Sequence, residues 1–478
     1  MFSEEHNQYI LLQRDLKCVP LRSPWNVDKK TVLMVGCLIL PVTVFCATYM
    51  ILFGIYEKLV FPKSSYTFSS IEMLEANQHR ATIYNIIDPQ TFTDKLKNMH
   101  SHISEQSTPA EFKLVCYYNF PVAASSMQVD EIDPYLCTHL NVAFGSIVNH
   151  SIYLNDQYLV YLSQIVKLKD QNKDLKVLLS IGGAGNSNGF PEMVKNHTNR
   201  KTFIKSILYY VINYKIDGVD LDWEFPGSDM RYDKNQRMHF TQLLSETRKT
   251  INRQEKHKFL LSLAVAAPTE IIDVAYDISY MNEYVDFINL MSYDYHYYTD
   301  VTPFTGFNAP LYQSSSEKYY LATLNVNYSS HYWNYLGMDK SKIVVGLPTY
   351  GHTFRLLNPR NHDLYAPVTG YGNLGSLGFA SYPLICSFLQ MNHITPVFDM
   401  ESFSPYAAKY YEWISFDDHE SLTYKAEYVK SNEFGGVMVY CLNADDFRGD
   451  CQMGVMGNTK FPLVSAVKKV LEESLEAE

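Results

Sequence analysis

Hydrophobic positions first gather at Thr31 to Tyr56, "TVLMVGCLILPVTVFCATYMILFGIY", a stretch with no charged residue. About 20 apolar residues are enough to span a bilayer, and Pro41 is tolerated inside a membrane helix. The pattern predicts a transmembrane signal-anchor over 31–56. A cleaved signal peptide is the competing reading; the long polar lead-in and the length of the apolar run argue against it. Arg14, Lys17, Arg22, Lys29 and Lys30 precede the span, and Lys58 and Lys63 follow it. That asymmetry places a tail of residues 1–30 in the cytoplasm and the bulk of the chain in the lumen or outside the cell, as a single-pass type II membrane protein.

Residues 57–110 are polar and weakly periodic, and read as a stalk. From Glu111 the pattern changes to short apolar runs at 112–118, 138–144, 175–183, 217–223, 259–266, 286–293, 342–350 and 435–442. Helix-like segments such as "DQYLVYLSQIVKL" and "MHFTQLLSETRKTI" separate most of them. Strands alternating with helices pair in parallel. Eight such units over 111–478 predict an α/β fold, a closed (β/α)8 TIM barrel. An open doubly wound sheet is the alternative, but no glycine-rich phosphate loop follows the first run. The gap between the seventh and eighth runs is too long for one crossover. Residues about 352–425 are expected to form a small α+β insertion walling the mouth of the barrel.

Composition adds constraints. The net charge of −11 argues against a nucleic-acid partner. Aromatic residues make up 14% of the chain, with 38 Tyr against 4 Trp. Tyrosine suits sugar clefts, which need a flat apolar face and a hydrogen-bonding tip, and equally suits half-buried strands. Beyond Cys18, Cys37 and Cys46 lie Cys116, Cys137, Cys386, Cys441 and Cys451, enough for two disulfides and one free thiol in an oxidising compartment. Sequons at Asn149, Asn196 and Asn327 offer glycosylation there. The histidines show no metal-ligand spacing, so neither a metal nor a cofactor is expected.

The chemistry gathers in "DGVDLDWEFPGS", where Asp217, Asp220, Asp222 and Glu224 alternate with Val219, Leu221 and Trp223. On a strand, Asp220, Asp222 and Glu224 share one face and the apolar residues the other. In a barrel the acids point into the lumen, with Glu224 at the C-terminal rim where barrel enzymes do chemistry. Stacked acids cannot all ionise cheaply there, so at least one keeps its proton. A carboxyl that keeps its proton near neutrality is what a general acid needs.

This segment resembles the D-x-x-D-x-D-x-E signature of the family 18 glycoside hydrolases, the chitinases and chitinase-like lectins. The similarity covers most of 111–470. It includes "LLSIGG" at Ser180, Gly182 and Gly183, "NLMSYD" at Met291, Tyr293 and Asp294, and "GLPTYG" at Tyr350. The resemblance implies retaining, substrate-assisted hydrolysis of β-1,4-linked N-acetylglucosamine oligomers. Glu224 would be acid and then base, and Asp222 would orient the acetamido group while sharing a proton with Asp220. Tyr293 would bind the acetamido oxygen. Tyr117, Phe144, Met291, Asp294, Tyr350 and Tyr440 would line the cleft of a monomeric catalytic domain whose partner is chitin or a related oligosaccharide. Family positions also imply disulfides Cys116–Cys137 and Cys386–Cys451. Cys441, next to Tyr440, would then be a buried thiol turned toward the helical layer by parity. The departures are Tyr440 for a tryptophan, Ala184 for an aromatic residue, His352 for the common basic residue, and no tryptophan in "CYYNFPVAASS". They keep open a chitinase-like lectin with little hydrolytic activity.

Overall fold

A computed structural model describes residues 112–228, 235–451 and 459–473. The expected tail, anchor and stalk lie outside these residues. Among the described residues no helix is long and apolar enough to cross a membrane.

In chain order the strands are β1 (Lys113–Asn119), β2 (His139–Val148), β3 (Ser151–Tyr153), β4 (Lys176–Gly182), β5 (Gly218–Asp222), β6 (Leu260–Ala266), β7 (Phe287–Met291) and β8 (Ile343–Pro348). They continue with β9 (Tyr350–Leu356), β10 (Val368–Tyr371), β11 (Phe379–Ser381), β12 (Val397–Asp399), β13 (Ser404–Lys409), β14 (Glu412–Ser415) and β15 (Gly436–Tyr440). The main sheet runs β1-β15-β8-β7-β6-β5-β4-β2, and pairing of β1 with β2 closes it into an eight-stranded barrel. Each barrel strand pairs parallel with its barrel neighbours, while β3 folds back antiparallel on β2. Strands buried on both faces read as continuous apolar runs, as "LLSLAVA" of β6 and "IVVGLP" of β8 do. Asparagines set several helix starts: Asn155, Asn196 and Asn325 each accept a hydrogen bond from the backbone N–H three residues on.

All eight apolar runs are barrel strands, and the closed sheet rules out the doubly wound alternative. The insertion begins earlier and ends earlier than expected. Strands β9 to β14 form a second sheet, wholly antiparallel, carrying the helix Tyr382–Met391. The helix His419–Ser431, which the expected boundary at about 425 divides, packs on β15 and the helix Pro462–Glu472. It is the last barrel crossover, which is why its apolar side matches the barrel wall. The insertion therefore covers about 350–417.

Both disulfides form as expected, Cys116–Cys137 and Cys386–Cys451. Cys441 is a buried free thiol, but it clusters with the lumen residues Tyr117, Tyr293 and Met438 and not with the helical layer. β15 ends at Tyr440, so strand alternation no longer governs the next residue. Among the sequons, Asn149 and Asn196 are exposed. Asn327 is half-buried within the helix Val326–Tyr335, and its Oδ1 accepts a hydrogen bond from Tyr428 Oη at 3.1 Å. A glycan there would have to displace that packing.

Candidate active site

β5 alternates as its sequence demands. Val219 and Leu221 are fully buried, and Trp223, just past the strand, stacks on Phe190 at 5.2 Å and meets Phe240 edge-on at 5.5 Å. The acids take the other face. Asp220 has no exposed surface, and four groups converge on it: Tyr117 Oη (2.6 Å) and Ser180 Oγ (2.7 Å) on Oδ2, Ser262 Oγ (2.7 Å) and Asn289 Nδ2 (3.0 Å) on Oδ1. These groups come from β1, β4, β6 and β7, so one carboxylate ties together strands on both sides of the lumen.

Asp222 is 3% exposed, and its Oδ1 has no hydrogen-bond partner. Burial, reinforced by the nearby charges of Glu224 and Asp220, pushes its carboxyl well above the ordinary carboxylate range. Burial also pushes Asp220 up, against the four hydrogen bonds that favour its ionised form. Both Asp220 oxygens accept hydrogen bonds from donors on other strands. Glu224 lies two residues beyond the end of β5, with its amide donating to Ser187 Oγ at 3.0 Å. Burial first, and then the charge of Asp294, push its carboxyl up to about 7.

The two glycines of "SIGG" let β4 approach this rim. Gly183 N donates to the Asp222 carbonyl at 2.8 Å. A Cβ on Gly182 would sit 2.1 Å from that same oxygen, and one on Gly183 would sit 2.9 Å from the Phe144 ring. Both residues also have positive φ, 109° and 86°, which favours glycine.

The remaining expected site residues sort by what they touch. Tyr293 is 8% exposed; its hydroxyl meets only Met438 Sδ, at 3.9 Å, and is left free for a ligand. Tyr440 sits among Tyr117 (5.5 Å), Tyr293 (6.0 Å) and Tyr350 (6.2 Å). Phe144 and Met291 are half-buried against the same cluster. Tyr117 corrects the sequence reading: at 1% exposed, with its hydroxyl committed to Asp220, it holds the carboxylate and does not reach the cleft. Asp294 is open to solvent, and its Oδ1 accepts from Tyr350 Oη at 2.6 Å and pairs with His352 Nε2 at 2.7 Å. Sequence reasoning missed Ser262 and Asn289 as Asp220 partners and His352 as an Asp294 partner. The strand register carries the signal for Ser180 and Ser262, which lie directly opposite Asp220 on its two neighbours. Nothing in the local sequence marks Asn289. Among the described residues no group of His, Cys, Asp and Glu is arranged to hold a metal ion.

The site therefore presents a carboxyl that keeps its proton toward neutrality, a second buried acid beside it, and a free tyrosine hydroxyl facing both. Several known proteins are similar to this chain along most of the barrel. The profile of Glycosyl hydrolases family 18 matches residues 113–445. Chitinase-3-like protein 2 from Homo sapiens is 36% identical over 375 residues, which is 75% of this chain and 93% of that protein. Among solved structures, human YKL-39, described as a pseudo-chitinase with retained chitooligosaccharide binding, superposes with a TM-score of 0.70 at 34% identity, over 76% of this chain and 100% of its own. The Group IV chitinase of Ostrinia furnacalis superposes equally well, with a TM-score of 0.70 at 33% identity over 76% of this chain and 100% of that one. On this shared fold and sequence, the chain belongs to the family 18 glycosyl hydrolases.

Proposed function

We propose that the protein hydrolyses β-1,4-linked N-acetylglucosamine oligomers with retention of anomeric configuration, the acetamido group of the substrate acting as nucleophile. One observation carries this reading: Glu224 holds its proton to about pH 7 next to a second buried acid, Asp222. The Glu224 carboxyl protonates the glycosidic oxygen as the bond to the leaving sugar breaks. The carbonyl oxygen of the 2-acetamido group closes on the anomeric carbon, forming an oxazolinium ring. Asp222 accepts the acetamido N–H with its unpartnered Oδ1, and Tyr293 donates to the acetamido oxygen. Glu224, now a carboxylate, takes a proton from water as that water opens the ring. Each group is thus used in the protonation state its surroundings favour. The anchor at 31–56 makes the enzyme a type II membrane protein with its barrel in the lumen or outside the cell; the support is the uncharged span and the charges flanking it.

This reading fixes a pH dependence. The reacting form has Glu224 protonated, so kcat/KM is expected to fall tenfold per pH unit above about 7. The charge of Asp294 is one cause of the raised value, so Asp294→Asn is expected to move this limb to lower pH. A pH–rate profile of the variant with an unmoved or raised limb would count against the assignment.

A second reading, an oligosaccharide-binding protein with little turnover, is favoured by Tyr440 and by the likeness to a pseudo-chitinase. Tyr440→Trp separates a weakened cleft from a remodelled one. Tyr117, Tyr293 and Tyr350 already surround Tyr440 within 6.2 Å. Phe144, packed against the same cluster, stands 6.3 Å from the Tyr117 ring. An indole that fits should tighten oligomer binding by about 0.5–1.5 kcal/mol. One that overpacks costs about 1–3 kcal/mol of stability and indicates a pocket reshaped for another ligand. Calorimetric titration beside a melting curve reads both.

A further inference from the structure

The end of the barrel opposite the active site has a chemistry of its own. The described chain enters there at Phe112, and β1 and β4 start there with Lys113 and Lys176. His139, which opens β2, stands level with Lys176; burial, and then the charges of Lys113 and Lys176, push its imidazole down to about 4. The loops leading into β5 and β6 add Lys215, Lys256 and Lys258, all exposed. Three acids of this face are already engaged: Asp217 with Lys169 at 2.7 Å, Asp286 with Arg248 at 2.8 Å, and Asp170 with Lys173 at 3.2 Å. The segments that lead into β4 and β6, 167–176 and 253–258, carry seven Lys or Arg against three acids, in a chain whose net charge is −11. The charge on this face is therefore opposite to that of the molecule. Tyrosines surround the lysines. Tyr214, Tyr284 and Tyr335 are the last residues of the helices His197–Tyr214, Ile278–Tyr284 and Val326–Tyr335, so each sits where its helix reaches this face. Tyr335 is 55% exposed, and Tyr135, whose hydroxyl donates to the Gln171 carbonyl at 2.9 Å, is 58% exposed.

Lysines near helix C-termini also complement the helix dipole. That does not account for Lys113 and Lys176, which begin strands, or for Lys258, five residues past the helix Gln236–Arg253. Lysines mixed with part-exposed tyrosines suit a membrane–water interface, where the ammonium meets headgroup phosphate and the ring lies at headgroup level. The position on the fold agrees. In the proposed topology the chain leaves the bilayer after the span at 31–56, and it joins the barrel on this same face, at Phe112. We propose that the N-terminal face of the barrel seats on the anionic headgroups of the bilayer that holds the anchor. Glu224 and the cleft, at the C-terminal ends of the strands, then open away from the membrane. The cleft thereby takes glycans that reach it from the aqueous side. This inference rests on the proposed anchor at 31–56.

The test is amine acylation of single lysines, read by mass spectrometry. The full chain is compared in a non-ionic detergent, in nanodiscs of phosphatidylcholine, and in nanodiscs that also contain phosphatidylserine. Docking predicts that Lys215 and Lys258 react about 3- to 10-fold more slowly in the phosphatidylserine nanodiscs than in detergent, and that high salt cancels the protection. Lys195, exposed on the segment between β4 and the helix His197–Tyr214 at the active-site end, should react equally in all three. In the double variant Lys256→Glu, Lys258→Glu, the Lys215 rate should return to within about twofold of its detergent value. Both substituted side chains are exposed and far from the cleft, so melting and oligomer turnover in detergent should not change. Equal rates at Lys215 and Lys258 in detergent and in both nanodiscs would overturn the docking and leave the anchor intact. So would protection that phosphatidylcholine alone gives in full and salt leaves untouched, since it requires no charge. Protection of Lys195 in place of Lys215 and Lys258 would seat the opposite end on the membrane and overturn it as well. A full chain that fails to enter nanodiscs would remove the proposed anchor, and the docking with it.

Discussion

Glu224→Gln is expected to reduce turnover of N-acetylglucosamine oligomers by about 10² to 10⁴-fold, while oligomer affinity and fold are retained. The amide has the volume of the carboxyl and keeps a hydrogen bond to the glycosidic oxygen, but it cannot transfer a proton. The same variant reports on stability. Glu224 carries its proton up to about 7 in the folded chain against 4.5 for the free group. The folded state therefore binds more protons than the unfolded one between these values, and the native protein loses stability as pH rises through that window. The loss amounts to at most about 3 kcal/mol. Glutamine does not ionise, so the variant should melt close to the native protein below pH 4.5 and above it beyond pH 7. Residual turnover within tenfold of native, or melting curves that keep a constant offset at every pH, would show that Glu224 is not the proton-holding acid described here.

Asp220→Ala is expected to have the largest effect on the fold. It strands Tyr117, Ser180, Ser262 and Asn289, four donors from four strands in a lumen without solvent access. Each stranded donor costs about 1–3 kcal/mol, and water entering the vacated space recovers part of the total. A net loss of about 4 kcal/mol or more follows, a large share of the stability of an ordinary domain. Asp220→Asn should be intermediate, since its amide oxygen still accepts from two donors while its NH2 faces the others. Urea unfolding of the three proteins measures the order. A loss below about 1 kcal/mol for the alanine variant would mean that the cluster is not what holds the centre of the barrel.

Most of this architecture was legible because its cause is local. Runs such as "LLSLAVA" and "IVVGLP" are apolar on both faces, and only a sheet covered on both sides explains that. The alternation in "DGVDLD" placed Asp220 and Asp222 on the lumen side and Val219 and Leu221 under the helices, because strand geometry permits no other arrangement. What escaped depends on register and on distant contacts. The crowd of donors around Asp220 is set by which residues of β1, β6 and β7 stand level with it, and no single segment encodes that. Parity failed for Cys441 because the strand stops one residue earlier. The end of the insertion was misplaced because the helix His419–Ser431 has the same amphipathic pattern whether it packs on the small sheet or on the barrel.

The most direct measurement follows the anomeric protons by NMR while the full chain acts on the N-acetylglucosamine tetra- or pentasaccharide, with Glu224→Gln as control. Substrate-assisted hydrolysis predicts that the new reducing end forms first as the β-anomer and only later mutarotates, with no product from the control. Product appearing first as the α-anomer, or no product at all from native protein that binds the oligomer, would contradict the account.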